Sequence, residues 1–254
     1  MRLVGPSVGV NERPRPNPTL RKGAVNVYSG QLTFLLQACD SNFPNGAFSH
    51  SFGLETLIVD GMVKDVETFQ IMLEEWFYLQ VVPFDGLASH LAWECAIRGD
   101  LSGICDIANT MSVSILPEET RSGVLGIGKR SLQELSRMVR GGMAERYWEA
   151  VCAGIAASTH SVALAVAAAD LGIGQTDTVT AVLYNNVCCI VSAAVRAVPL
   201  GQTAGQRVLA HCRKWMEKIP SYSGRTVDDL SSTSVVWEIA QMNHKQLSGR
   251  LFMS

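Results

Sequence analysis

Charge is scarce in this 254-residue chain: Asp, Glu, Lys and Arg make up only 17% of it and nearly cancel, to a formal net charge of −2. No global field draws such a chain to nucleic acid or to an anionic membrane surface, and nucleic-acid binding is excluded on that ground. Clustered metal ligands are absent as well. The five histidines, His50, His90, His160, His211 and His244, form no H-x-x-x-H pair, and the seven cysteines form no C-x-x-C pair. His211 and Cys212 are neighbours, but on a helix they point about 100° apart. No tight, self-contained metal site and no cofactor are expected. The odd cysteine count and scattered spacing rule out a disulfide framework and read as small core hydrophobes in a reducing compartment. No G-x-S-x-G elbow occurs, and no segment alternates with the period of a half-buried strand. Val4–Val10 is too short and too interrupted by Gly and Pro for a signal peptide, so the cytoplasm is expected.

What is present is apolar: 47% of the residues are hydrophobic, enough for a sizeable helical core or for surface hidden against a partner. Residues 1–28 hold four of the nine prolines with arginines among them, which predicts a disordered arm. Helical spacing starts at Gly30 and predicts helices over Gln31–Cys39, Val66–Val82 capped by Asp65 and stopped by Pro83, Phe84–Arg98, Leu101–Ser112 and Pro117–Met138. Two uncharged windows follow, Ala150–Ala169 and Thr178–Val198. Both have the length of a membrane span, but His160 sits mid-way in the first, and the second holds Asn185, Asn186 and Arg196. They are expected as the buried centre of a helical domain. Thr176 or Asp177 is the expected cap of the second, Gly201–Lys218 forms another helix, and Asp228 and Asp229 open a last one reaching Asn243. The fold class is all-α: one domain of roughly ten helices over 29–243, followed by a tail, 244–254.

The chain is organised around Phe43–Glu55, FPNGAFSHSFGLE. Pro44 fixes φ, while Gly46 and Gly53 permit φ > 0, so a sharply shaped turn is expected there, with Phe48 and Phe52 flanking Ser49, His50 and Ser51. A buried, hydrogen-bonded His50 is the expected arrangement, because a polar ring in an aromatic turn must find partners. Downstream, Gly123–Lys129 fits G-x-x-x-x-G-K, but Arg130 stands where Mg²⁺ binding needs Ser or Thr, and no strand precedes it. A helix whose glycines permit close packing, with Arg121, Lys129, Arg130, Arg137 and Arg140 forming a basic side, is expected instead. In the tail, Leu247, Leu251, Phe252 and Met253 are apolar and Arg250 offers five fixed donors. Such a tail would fray alone, and its composition is that of a segment that orders on binding; the other arrangement weighed for it is a tail packed on its own domain.

Pro44, Gly46, Phe48, His50, Ser51, Gly53, Leu54 and Glu55 resemble the signature P-x-G-(aromatic)-x-H-S-x-G-L-E of the urease accessory protein UreF family. ETRSGVLGIGKRSLQEL (Glu119–Leu135), AVPLGQTAGQRVL (Ala197–Leu209) and the tail Arg250–Ser254 agree in order, so the resemblance spans about residues 30–254. Phe48 stands where the family often has tyrosine, and Lys245 and Gly249 also depart from its tail. The resemblance implies an all-helical homodimer without catalytic residues that binds UreD (also called UreH), then the GTPase UreG, and helps load nickel into apo-urease. It also implies partner contacts at Phe48, His50, Arg250, Leu251 and Phe252. Two alternatives stand beside it: a helical hydrolase using His50 with Ser49 or Ser51, and a stand-alone nickel chaperone.

Overall fold

Eleven α-helices and no strand make up the described residues, 29–198 and 200–254, of the computed structural model. The arm expected over 1–28 lies outside them. In chain order the helices are α1 (Ser29–Ala38), α2 (Leu54–Val59), α3 (Val66–Trp76), α4 (Leu87–Arg98), α5 (Leu101–Ser114), α6 (Glu118–Met138), α7 (Met143–Cys152), α8 (His160–Asp170), α9 (Gln175–Ala197), α10 (Gly201–Met216) and α11 (Val235–Asn243).

Two apolar clusters form the interior. The first is built around α8, nine of whose eleven residues are buried. Its alanines bring α4 and α6 close against it, and α5 and α7 close the outside. The second gathers α3, α9, α10 and α11 around large rings. Trp237 is fully buried with its centroid 5.5 Å from that of Trp76, and Phe77 lies 5.6 Å from Trp215. Each such ring contributes on the order of 2–3 kcal/mol of burial. α9 is long and apolar enough to cross a membrane, yet half of its most apolar window is buried, and it packs against α10, α8 and the segment after α3.

Helix ends follow the local chemistry. Asp65 caps α3 reciprocally: its carboxylate accepts from the Thr68 N–H at 2.8 Å and the Thr68 hydroxyl accepts from its own N–H at 3.1 Å. After the Gly141–Gly142 break, the Asp170 carboxylate accepts from the Met143 and Ala144 N–H groups, both at 2.8 Å, so the end of α8 caps the start of α7.

Four expectations are corrected. Pro83 does not stop a helix: Phe77–Gly86 is a π-helix that joins α3 to α4, because its wider turn accommodates the proline ring and the missing N–H. The window Ala150–Ala169 is two helices, α7 ending at Cys152 and α8 beginning at His160, with Thr159 capping α8. The cap of α9 is Gly174, with Asp177 in the first turn rather than at the cap. Asp228 and Asp229 belong to a separate 3-10 turn, Val227–Asp229, and α11 starts only at Val235.

Candidate functional site

The turn is shaped by backbone conformations that glycine permits. Gly46 (φ 83°) and Gly53 (φ 92°) occupy the left-handed region, and Phe52 (φ 51°) is the one non-glycine residue with positive φ among the described residues. A Cβ on Gly53 would stand 2.8 Å from Gln241 Cγ, so this bend lies directly on α11. Arg130 ties down the other end: its Nε donates to the Asn45 carbonyl at 2.6 Å, across Gly46. The expected basic side of α6 is thus partly engaged. Arg121 donates to the Ile115 carbonyl at 3.2 Å, and Arg137 pairs with Glu134 at 2.6 Å. The G-x-x-x-x-G-K stretch is helix throughout, and its glycines serve close approach: a Cβ on Gly123 would lie 2.7 Å from the His50 ring, and Gly128 packs on the Ser158–Thr159 backbone.

His50 is buried, stacked on Phe52 with centroids 5.5 Å apart, and its Nδ1 lies 2.8 Å from Ser254 Oγ. Burial, with help from the Arg130 and His244 charges, holds its pKa below the ordinary histidine value, so the ring is kept neutral. Its hydroxyl partner comes from the tail, not from Ser49 or Ser51. The Ser51 hydroxyl donates instead to the Ser254 main-chain oxygen at 2.9 Å. The pairing that a hydrolase reading requires is therefore not assembled.

The tail does not stand free but packs on its own domain, the second of the two arrangements weighed for it. It lies extended along the turn. The Ser254 main-chain oxygen accepts from the N–H groups of Ser51 (2.6 Å) and Phe52 (2.9 Å), and Met253 N–H donates to the Ser49 carbonyl at 2.8 Å. Side chains then alternate: Leu251 and Met253 are 75% and 67% exposed, whereas Phe252 and Ser254 are buried. Of the residues expected to meet a partner, Phe252 and His50 therefore face inward; Leu251 and Phe48 (58% exposed) face solvent, and Arg250 is partly exposed.

Two carboxylates far from it in sequence, Glu55 and Glu119, hold this tail. Glu55, at the start of α2, accepts from the Leu251 N–H at 2.6 Å and the Phe252 N–H at 3.2 Å, and its Oε2 lies 3.1 Å from His244 Nε2. Glu119, in the first turn of α6, meets His244 Nδ1 at 2.8 Å and accepts from Arg250 Nη1 at 2.8 Å. With carboxylate oxygens on both ring nitrogens, His244 satisfies both contacts only as the imidazolium. The hydrogen bond from His244, then Arg250, holds the Glu119 carboxyl below the usual carboxylate range. Beside the tail, the Arg196 guanidinium lies 3.7 Å over the Phe48 ring and 4.8 Å from the Phe252 ring centroid, joining turn and tail through two cation–π contacts.

Behind the turn lies a partly enclosed cavity of about 80 Å³ whose wall includes Trp76, Asp85, Thr120, His160 and Gln241. His160 Nδ1 meets Ser131 Oγ at 2.8 Å, while its Nε2, Trp76 Nε1, Thr120 Oγ1 and Gln241 Nε2 have no protein hydrogen-bond partner. Burial pushes His160 down to about 4 and Asp85 up to about 6. No group of three or more His, Cys, Asp or Glu side chains is gathered for a metal ion among the described residues.

In the sequence, Glu55 stood only as the end of the signature turn, Glu119 only as the start of a second family-like segment, and His244 only as one of five dispersed histidines. Their meeting was not legible, because the contacts span 125 and 189 residues.

Residues 63–213 match the UreF family model. A urease accessory protein UreF from Bacillus sp. (strain TB-90) is 35% identical over 225 residues, covering 88% of this chain and 99% of the relative. One from Lachnoclostridium phytofermentans is 36% identical over 221 residues (87% and 97%), and one from Geobacillus kaustophilus 37% over 227 residues (88% and 98%).

Proposed function

The chain belongs to the UreF family of urease accessory proteins, and from that premise we propose that it is a non-catalytic scaffold of urease maturation. In this reading a cytoplasmic homodimer gathers UreD (UreH), the GTPase UreG and apo-urease for GTP-dependent nickel insertion, and bears on the GTPase. Nickel is cargo of the assembly.

One observation carries the reading: the tail is laid on the signature turn with Arg250, Leu251 and Met253 exposed along it, while Phe48 is exposed on the turn itself. An exposed arginine beside apolar and aromatic side chains is the composition that anchors protein interfaces. Phe252 and His50 support that face from below. The test is co-purification. The tagged full chain and a version ending at Leu247 are each expressed with UreD and UreG and run on a sizing column with nucleotide and nickel. The full chain is expected to elute with both partners and the shortened one to lose them; equal retention by both versions would remove the tail from the interface.

A further inference from the structure

The extended tail has a register problem. Because Leu251 and Met253 face out while Phe252 and Ser254 face in, a one-residue slip would bury the outward side chains and expose the Phe252 ring. The main-chain bonds at Ser49, Ser51 and Phe52 oppose this slip, and side chains that grip the tail backbone at a fixed residue oppose it further. Glu55 does so by accepting from two consecutive N–H groups, those of Leu251 and Phe252, with a side chain only 7% exposed. Glu55 is held in turn by His244, whose side chain is fully buried, and the far side of that ring is held by Glu119, which also takes Arg250.

We propose that Glu55, Glu119 and His244 are the positioning residues of the tail, a buried carboxylate–imidazolium–carboxylate clasp that sets the register presenting Arg250, Leu251 and Met253. This rests on the docking role proposed above for that face. A neutral imidazole carries one N–H, so only the doubly protonated ring donates to both carboxylates at once. The charged and titratable groups around the ring are Glu55 from α2, Glu119 from α6, Arg250 from the tail and His50 from the turn. His50 is held neutral and adds no competing charge.

The experiment is hydrogen exchange at the Leu251 and Phe252 amides in the intact chain, with Ala240 in α11 as internal reference. After correction for the intrinsic rate, Glu119→Gln, at a partly exposed position, is expected to lower their protection roughly tenfold relative to the reference, as befits loss of a hydrogen bond to a charged group, and His244→Gln to lower it further. Protection of both amides that stays unchanged relative to Ala240 in Glu119→Gln and in His244→Gln would overturn the clasp. Capture of UreD and UreG, measured on the same samples, separates the two proposals: protection lost with capture retained supports the clasp and overturns the docking role.

Discussion

His244 and His160 are both buried, but the first has a carboxylate on each ring nitrogen, whereas the second has one hydroxyl and an Nε2 without a protein partner. A buried charge is tolerated where opposite charge and hydrogen bonds surround it, and is otherwise given up by a shift in protonation. His160, at the start of the apolar α8, is pushed down to about 4 and stays neutral. His244 lies where α2 and α6 meet the tail, so Glu55 from α2 and Glu119 from α6 supply its partners. Buried charge therefore does different things in the two places. In the clasp it fixes where a loose segment lies. At the cavity it is suppressed, and the polar groups there contribute little to holding the fold.

The sharpest way to break this contrast is to remove one carboxylate of the clasp. Glu55→Ala strands the His244 charge and two tail amides, and is expected to lower the free energy of unfolding by roughly 3–5 kcal/mol; a loss below about 1 kcal/mol in denaturant titration would mean that the clasp is slack. The cavity side is probed by acid. Unfolded, a histidine takes up its proton near pH 6.5, whereas folded His160 resists until about 4. The unfolded chain thus binds more protons across that window, and stability should fall by about 3 kcal/mol on this account as the pH drops through it. In a variant such as His160→Gln this part of the acid sensitivity should disappear.

Asp85 sharpens the comparison with the opposite sign. Its carboxyl titrates near 3.8 when unfolded and about 6 when folded, so the folded chain binds more protons between those values and stability falls as the pH rises. Asp85→Asn keeps an acceptor for the Ser161 hydroxyl and removes the ionisation, adding roughly 2–3 kcal/mol at pH 7. The smallest effect on stability is expected at the surface joining turn and tail. Phe48→Ala deletes one of the two rings beside Arg196, costing about 0.5–1 kcal/mol in denaturant titration, while partner capture drops by more than that cost explains.

Much of the fold was legible because its signals are local. The Asp65 cap and the uncharged window that holds α8 depend on neighbours within one or two turns. Pro83 misled because an α-helix cannot absorb it and a π-turn can; nothing in its immediate neighbours announces the wider register. At the site, the Phe43–Glu55 bend and the burial of His50 were legible from Pro, Gly and aromatic chemistry. The seating of the tail was not. Leu251, Phe252 and Met253 read as uniformly apolar, and which of them turns inward is decided by Glu55, 196 residues from Leu251. Arg196 read only as the charge that spoils a membrane span, and its place beside two rings follows from α9 running past the turn.

The most direct measurement is the ¹⁵N spectrum of the histidine ring nitrogens in the folded chain near neutral pH. The account predicts that both nitrogens of His244 carry protons while His160 shows one protonated and one bare nitrogen, and that Glu55→Gln and Glu119→Gln disturb the His244 signals and leave those of His160 in place. A His244 ring with a single protonated nitrogen, unmoved by either substitution, would contradict it.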